Sequence, residues 1–450
     1  MNHSTYHGGR SSMAGAMFVW LAVAGLPAHA QTPRKAPAKP STSQEQEDPL
    51  APLLQQAKDA IDKMDFDAAL DPLQKYIAQR PDDPYAHFQL GYSYVGLKRA
   101  DDAKTEFSRA VALDPKMAAA HLNLGLVLMD SDPAAAADAF LDAAELQPTE
   151  SRPRFLAGFS FEHAGKFPQA IEQYRAALAI SPKDYEVHFA LGRVLLSSGD
   201  VAGAEGQFRE ALAERSDSAP ARLGLGNALL AQKKYADASD ALNEYLKLAP
   251  GDRSARFDRA SALFELDRYD DALAELDRAA AGSAPVADNV KMRGNIYMLQ
   301  KKWKDAAESL TQAIQLSPQD SEAAAWLGHV DIELLDYPAA INILSQVYTR
   351  HPQSVEALRD LINAFYFNEN YAETIGAMDR LAKVETPKPG SWFIRAICYD
   401  KLSRKAEAIE AYQAFLDQDN GEHDTQDFQA RHRILTLQSE LGQSPKKQKK

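Results

Sequence analysis

The sequence predicts an all-α fold, a right-handed α-solenoid built from stacked antiparallel helix pairs. Two observations indicate this class: markers that recur at a constant interval along the chain, and a composition rich in Ala, Leu and other residues that favour helix. Hydrophobic residues make up 45% of the 450 residues and charged residues 25%, proportions typical of a chain that folds. The chain is therefore expected to be ordered over most of its length.

Three markers keep the same register along the chain. The first is a small residue at the eighth position of most repeats, usually Gly preceded by Leu. The interval from Gly91 to Gly125 equals that from Gly158 to Gly192. The second is an alanine followed four residues later by a large apolar residue, as in Ala103 and Phe107. The third is a proline that closes most repeats. The closing prolines are Pro81, Pro115, Pro148, Pro182, Pro250, Pro318 and Pro352.

This register resembles that of the tetratricopeptide repeat family, whose unit combines Leu-Gly, Ala-x3-Phe and a closing Pro. The resemblance implies eleven repeats over residues 50–422, each a pair of antiparallel helices, with the third repeat one residue shorter than the rest. Because one helix pair cannot bury its apolar face alone, neighbouring pairs must stack. The predicted repeats start at residues 50, 84, 118, 151, 185, 219, 253, 287, 321, 355 and 389.

The ends of the repeat array depart from the pattern. Ala57, Ile362 and Ala396 replace Gly in the first, tenth and eleventh repeats. Residues 423–442 are predicted to form a capping helix, and residues 443–450 a basic, flexible tail. The apolar residues available to cover the open end of the core are Phe428, Ile434, Leu435, Leu437 and Leu441.

The N-terminal residues have the layout of a secretory signal peptide. Arg10 precedes an apolar run over residues 14–26, and small residues stand at Ala28 and Ala30. We expect cleavage near Ala30, an exported protein that is periplasmic or secreted, and no transmembrane segment after cleavage, because the run is shorter than the ~20 residues that span a bilayer. Residues 31–49, rich in Pro, Lys and Ser, are predicted to be a disordered linker.

The net charge and the lack of catalytic motifs argue against several classes of function. The formal net charge of −13 argues against nucleic-acid binding, which needs a basic surface. The sequence contains none of the zinc-protease, paired-cysteine, serine-hydrolase or phosphate-loop motifs, so we expect no enzyme activity, no cofactor and no metal.

The lone Cys398 is expected to be a core residue. His87, His121 and His188 occupy the same position in their repeats. We favour the interpretation that each ring packs within its repeat with its polar edge accessible, over the alternative that the three imidazoles bind a metal.

In the tetratricopeptide repeat family the binding groove is lined by the first helix of each repeat, at positions 2, 5, 9, 12 and 13. The resemblance therefore implies an apolar, aromatic strip in the second to fifth repeats, although fifth-position residues also pack between neighbouring helices. In later repeats, polar residues occupy these positions of the first helix. The strip comprises Tyr85, Phe88, Tyr92, Val95, Leu122, Leu126, Met129, Phe155, Phe159 and Phe189, and the polar positions include Lys291, Asn295, Arg359 and Asn363.

Lys291 and Asn295 resemble half of the clamp by which some members of the family hold a peptide carboxylate. The other half is missing, because Trp326, Glu356 and Asp360 stand where Asn and basic residues are required. We favour the interpretation that Lys291 and Asn295 are solvated polar side chains of the groove and not a carboxylate clamp. We therefore expect a non-catalytic scaffold of the cell envelope that binds proteins or peptides of unknown identity. The alternative is a carbohydrate or cell-wall binder, in which exposed aromatic rings stack on sugars.

Overall fold

The computed structural model describes residues 48–419 and 422–442. These residues form 23 α-helices and no strand, which confirms the predicted all-α fold of the solenoid class. The chain divides after Lys233 into two compact bodies. We call them the N-terminal body (48–233) and the C-terminal body (234–442). The predicted signal peptide, residues 31–47 of the predicted linker and the predicted tail lie outside the described residues.

In the N-terminal body each helix packs against the next, and short turns make consecutive helices antiparallel. Its helices are α1 (Ala51–Asp62), α2 (Phe66–Gln79), α3 (Pro84–Gly96), α4 (Ala100–Leu113), α5 (Ala118–Leu128), α6 (Pro133–Leu146), α7 (Ser151–His163), α8 (Phe167–Ile180), α9 (Tyr185–Ser198), α10 (Val201–Glu214) and α11 (Ala219–Ala231).

The C-terminal body repeats the same arrangement, again with each helix packed on the next. Its helices are α12 (Tyr235–Leu248), α13 (Arg253–Glu265), α14 (Tyr269–Ala280), α15 (Ala287–Leu299), α16 (Trp303–Leu316), α17 (Ser321–Glu333), α18 (Tyr337–Arg350), α19 (Val355–Phe367), α20 (Tyr371–Leu381), α21 (Pro389–Lys401), α22 (Lys405–Gln418) and α23 (Asp424–Glu440).

Acidic and hydroxyl side chains determine where many first helices begin. Asp83 precedes α3, and its Oδ1 accepts a hydrogen bond from the backbone N–H of Tyr85 at 2.9 Å. Asp184 does the same for Glu186 at the start of α9, also at 2.9 Å. Such caps satisfy N–H groups that have no partner inside the helix.

Within a repeat, the small residue of the first helix makes room for a large side chain of the second. A Cβ placed on Gly192 would lie 2.9 Å from Phe208 Cε1, and one on Gly158 would lie 2.8 Å from Tyr174 Cε1. The facing residue comes four positions after the alanine marker, so the glycine and the large residue form one contact. The rings of Phe208 and Tyr174 are fully buried as a result.

The turn between the two helices of a repeat contains one residue in the left-handed region. Ten repeats have it, and the third, which is one residue shorter, has none; there Asp132 caps α6 directly, accepting from the N–H of Ala135 at 3.0 Å. Eight of these residues are not glycine, although glycine adopts this conformation at the lowest cost. The residues are Met64, Lys98, Gly165, Gly199, Lys233, Asp267, Lys301, Leu335, Glu369 and Ser403.

Two expectations about the ends need correction. Asp48, assigned to the disordered linker, forms an ion pair of 2.6 Å with Arg80. In α23, Ile434 and Leu437 are buried as expected, together with Ala430, against α22. Phe428, Leu435 and Leu441 were expected to cover the core and do not. They remain exposed, because the first two lie on the opposite face of the helix and the third follows its end.

Candidate functional site

The candidate site is the apolar strip on the first helices of the N-terminal body. Eight predicted residues there keep part of their surface accessible, from α3 through α5 and α7 to α9. The first helices of neighbouring repeats also touch, as α3 and α5 do, so the residues follow one another across adjacent helices. The apolar strip comprises Tyr85, Tyr92, Val95, Leu122, Leu126, Met129, Phe159 and Phe189.

Phe88 and Phe155 were also predicted to line the groove, but each is only 8% exposed. Their rings pack at centroid distances of 5.7 Å from Phe107 and 5.8 Å from Tyr174, which belong to the second helices of the same repeats. The fifth position of these repeats therefore contributes to the core. Only Phe189 among the aromatic fifth-position residues of the strip stays partly exposed within the described N-terminal body.

The exposed aromatic residues of the strip are supported by neighbours. The Tyr85 hydroxyl accepts a hydrogen bond of 2.7 Å from Gln89 Nε2. Tyr92 makes an edge contact with Phe66, with ring centroids 6.1 Å apart. The rings of Phe159 and His163 are tilted by 40° to each other, with centroids 4.1 Å apart. These contacts restrict the rings before any ligand binds, which lowers the entropy lost on binding.

A charged network lies beside Phe159 and Phe189. Glu162 of α7 forms an ion pair with Arg193 of α9 and accepts a hydrogen bond of 2.9 Å from the buried Tyr174 hydroxyl. Burial and the adjacent Glu162 carboxylate raise the pKa of Tyr174 well above its usual range, so the hydroxyl stays protonated. Arg193 also lies 5.9 Å from the centroid of Phe189. The Glu162 carboxylate and the Arg193 guanidinium are thus charged groups at the edge of the apolar strip.

In the C-terminal body, the predicted polar groove residue Lys291 is occupied by internal partners. Its Nζ lies 2.9 Å from Asp320 and 2.6 Å from Glu322, and 5.3 Å from the ring centroid of Trp326. Burial lowers the pKa of Lys291, but hydrogen bonds to Glu322 and Asp320 outweigh it, and the net shift is upward. Asn295, one turn further on, is partly exposed.

Two other polar residues of the first helices, Arg359 and His329, also pair with carboxylates. Arg359 donates to Glu385 at 2.6 Å, and Asn363 on the same helix is exposed. His329 lies 3.3 Å from Asp360, and the hydrogen bond to that carboxylate raises the pKa of His329. Because internal carboxylates neutralise Lys291 and Arg359, these residues do not form a ready carboxylate clamp.

The three aligned histidines have a structural role. Nε2 of His87, His121 and His188 each lies 3.0 Å from the backbone oxygen of the proline six residues earlier, the residue that closes the preceding repeat. A carbonyl only accepts, so Nε2 carries the proton and is occupied. Each ring therefore ties a first helix to the preceding turn. Cys398 is fully buried, as expected, and burial raises the pKa of its thiol to about 11.

Two features were missed by the sequence analysis. Arginine replaces the leucine before the small residue in three repeats of the C-terminal body, at Arg259, Arg293 and Arg395, and the break in the Leu-Gly pattern is a readable signal. Phe367 and Tyr337 stack in the same body with centroids 5.5 Å apart and planes 20° apart. They come from different repeats, so no local pattern predicts the pairing.

The fold and the strip define a helix-pair repeat protein with an apolar surface on its first helices. Tetratricopeptide repeat family models match most of the chain, and the chain belongs to the tetratricopeptide repeat family. The matched residues are 54–103, 88–151, 157–220, 327–388 and 359–423 for one model, 195–255 and 229–284 for a second, and 288–320 for a third.

Solved structures show further similarities. MamA is 24% identical, over 37% of this chain and 92% of MamA, with a TM-score of 0.36. YrrB, described as a TPR protein with an unusual peptide-binding site, is 19% identical over 42% of this chain and 97% of its own, with a TM-score of 0.38. The C-terminal part of a TPR protein from Cytophaga hutchinsonii is 17% identical over 61% and 98%, with a TM-score of 0.41.

A comparison with curated proteins gives no significant match. In the described part of the chain, every helix is too short or too polar to cross a membrane.

Proposed function

We propose that this protein is a non-catalytic scaffold of the cell envelope that binds peptide segments of other proteins on the apolar strip of its N-terminal body. The observation that carries the proposal is the partial exposure of Tyr85, Tyr92, Phe159 and Phe189 on first helices whose other faces are buried. Rigid, exposed aromatic residues provide contact area at a low entropic cost, and they are frequent in binding surfaces.

The strip favours a ligand with apolar side chains and a polar group among them. The apolar residues favour side chains such as Leu or Phe in the ligand. The ion pair between Glu162 and Arg193, beside the strip, offers a carboxylate oxygen and guanidinium N–H groups to the backbone of an extended segment. Such a ligand would align its apolar side chains along successive first helices.

Selection of displayed random peptides on the protein, followed by calorimetry with the enriched peptide, tests the proposal. The paired variant Tyr92→Ala with Phe159→Ala removes two rings of the strip and should lower the affinity for the enriched peptide by about tenfold or more. The matched control is Leu335→Ala, which removes an exposed apolar side chain from the C-terminal body. Far-UV circular dichroism should show unchanged helicity in both.

The proposal predicts that enriched peptides lose affinity only in the strip variant. Enrichment of no peptide, or of peptides that bind both variants as tightly as the original protein, would contradict it. Retained helicity in the strip variant separates loss of binding from loss of the fold.

A second candidate function is carbohydrate binding by the C-terminal body. The stacked pair of Tyr337 and Phe367 is the observation that favours it, since Phe367 is more than half exposed and Asn368 and Asn370 lie within the next three residues. Sugars stack their apolar faces on aromatic rings while amides bind their hydroxyl groups. Sedimentation with purified wall glycan should be reduced by Phe367→Ala and unaffected by Phe159→Ala if this candidate is correct.

We also propose export, on the basis of Arg10, the apolar run 14–26 and the small residues before Gln31. N-terminal sequencing of the protein recovered from the producing cell should begin at Gln31. A mature chain that begins at Met1 would contradict export by this route.

A further inference from the structure

A guanidinium and two aromatic rings pack together at the start of α9. The ring of Tyr185 stacks on that of the strip residue Phe189, with centroids 6.0 Å apart and planes only 4° apart. The guanidinium of Arg215 lies over the Tyr185 ring, with its Cζ 3.9 Å from the centroid. Arg215 follows the last residue of α10, so this contact joins the end of the second helix of the repeat to the start of the first.

Contacts within the protein hold the Arg215 side chain in place. The Tyr185 hydroxyl forms a hydrogen bond of 2.6 Å with Ser218 Oγ, and Ser218 caps α11 by accepting from the backbone N–H of Ala221 at 3.2 Å. These bonds restrain the Tyr185 ring, and the ring restrains the guanidinium through a cation–π contact. A charged group that is restrained before a ligand binds loses less entropy on binding.

Arg215 differs from the neighbouring arginines in its lack of a carboxylate partner. Arg193 pairs with Glu162, and Arg152 lies 3.5 Å from Glu186. Among residues 48–419 and 422–442, no carboxylate forms an ion pair with Arg215, whose side chain is exposed. The charge of this guanidinium is therefore available to a ligand.

The acidic residues beside Arg215 in the sequence do not occupy it. Glu214 and Asp217 are both exposed and remain solvated. A second guanidinium lies on the same turn, because Arg222 of α11 donates to the backbone oxygen of Ser216 at 2.5 Å. The positive charge of Arg222 offsets part of the acidic charge of the turn.

The exposed guanidinium lies close to the apolar strip. The two separations given above limit the distance from Arg215 Cζ to the ring centroid of Phe189 to about 10 Å. An extended peptide rises about 3.3 Å per residue, so about three residues cover this distance. A peptide that packs an apolar side chain on Phe189 can therefore place another group at Arg215.

We propose that Arg215 binds a carboxylate of the peptide that occupies the apolar strip. The inference rests on the proposed peptide-binding function, and it adds the chemical class of the ligand: an apolar segment with an acidic group about three residues from the side chain on Phe189. A guanidinium offers a carboxylate two parallel N–H donors, and Arg215 has no internal ion pair to break. The carboxylate comes from an Asp or Glu side chain or from the C-terminus of the peptide.

Selection of random peptides displayed with free C-termini, on the unaltered protein and on Arg215→Glu, tests the proposal. Peptides enriched on the unaltered protein should have a carboxylate at a constant distance from their apolar residues. Peptides enriched on Arg215→Glu should lose this preference and gain Lys or Arg at the same place. Far-UV circular dichroism should show equal helicity in both proteins, because Arg215 is exposed and lies between helices.

Calorimetry with the peptide enriched on the unaltered protein measures the contact itself. Arg215→Ala should lower the affinity by about tenfold, because a charged hydrogen-bonded pair is lost. Arg215→Lys should lower it less, since lysine keeps the charge and loses the planar pair of donors. The matched control is Arg175→Ala, which removes an exposed arginine from the second helix α8 and should leave the affinity unchanged.

Changes in the peptide identify the source of the carboxylate without altering the protein. In one arm Asp or Glu is replaced by the corresponding amide, and in the other the C-terminus is amidated. The arm that removes the bound carboxylate should lower the affinity for the unaltered protein by about tenfold. The same change should have little effect on binding to Arg215→Ala, because the partner of the carboxylate is already absent.

Three results would overturn the carboxylate contact alone. They are enriched peptides without a preferred carboxylate, an Arg215→Ala variant that binds as tightly as the unaltered protein, and peptide changes that weaken binding to both proteins equally. In each case binding that still requires Tyr92 and Phe159 would support the apolar strip as a peptide site. Failure of the proposed function is distinguishable, because then no peptide is enriched or binding survives the paired change Tyr92→Ala with Phe159→Ala, and the carboxylate contact is overturned with it.

Discussion

Gly192 of α9 lies against the ring of Phe208 of α10, so close that a methyl group on the glycine would meet Phe208 Cε1 at 2.9 Å. The same relationship joins Gly91 to Phe107 and Gly158 to Tyr174. In these repeats one position must be small, and a large residue of the second helix fills the space left by it. This complementarity explains why the two markers keep a fixed distance along the chain.

Gly192→Ala should lower the free energy of unfolding by about 1–3 kcal/mol, because the added methyl overpacks the contact with Phe208. Gly206→Ala is the matched control. It lies in α10 of the same repeat with open space around it, and should raise the stability by up to about 1 kcal/mol through helix propensity. Urea unfolding followed by circular dichroism measures both. Equal effects of the two variants would contradict the packing explanation.

Leu335 has a φ of 63° and is largely exposed, so it bears the cost of the left-handed conformation without burial in return. Leu335→Gly should raise the stability by up to about 1 kcal/mol, because glycine adopts positive φ without a Cβ clash. Leu335→Ile should lower it, since branching at Cβ increases the clash. The urea midpoint measures both, and a midpoint that falls in the glycine variant would show that the leucine side chain makes a stabilising contact.

Asp258 of α13 should make stability depend on pH. Burial raises the pKa of Asp258 to about 6, with Asp252 adding to the shift. The folded pKa exceeds the unfolded value, so the folded state binds the proton more tightly and stability falls as pH rises from about 4 to above 6. Asp258→Asn should therefore raise stability at pH 7.5 by about 1–3 kcal/mol and flatten the profile between pH 4.5 and 7.5.

Exposed Asp240 provides the control for that experiment. Asp240→Asn should leave the change in unfolding free energy between pH 4.5 and 7.5 as it is in the unaltered protein. An Asp258→Asn variant that keeps the same pH dependence would contradict the assignment.

Arg293 occupies the position at which other repeats have leucine, such as Leu191. Its guanidinium donates to Asp277 at 2.6 Å, while its Nε is buried with no hydrogen-bond acceptor. Arg293→Leu should leave stability unchanged or raise it by up to about 1 kcal/mol, because the mostly exposed Asp277 stays solvated and the desolvation cost of the guanidinium is removed.

Arg293→Ala distinguishes packing from charge at this position. It should lower the stability by about 1–2 kcal/mol, because the aliphatic part of the side chain is lost without replacement. Urea unfolding in low and high salt measures these variants. A loss of several kcal/mol in Arg293→Leu would show that the ion pair itself is required.

The sequence predicted the fold class because the constant period of its markers reports a repeated local structure. It did not predict which aromatic residues stay exposed. Phe88 and Tyr92 are one turn apart on α3, yet Phe88 packs on Phe107 of the same repeat and Tyr92 reaches Phe66 of the preceding one. Small rotations of the helix decide this difference, and residue spacing does not encode them.

The pairing of Lys291 and the orientation of α23 were unpredictable for other reasons. Lys291 contacts Asp320 and Glu322 at the start of the next repeat, and the sequence does not specify which of many carboxylates it meets. In α23 both faces contain apolar residues, so either face could have covered the core. Ala430 settles the choice, because a small residue permits close approach to α22.

The central claim, that the apolar strip binds peptide segments, is tested most directly by photo-crosslinking. A benzophenone amino acid is placed at Phe159 or Phe189, and, as the control, at Asp267 in an exposed turn of the C-terminal body. We predict that irradiation in the producing cell links both strip positions to the same partner chain and leaves Asp267 unlinked. Equal labelling at all three positions, or none at the strip, would contradict the claim.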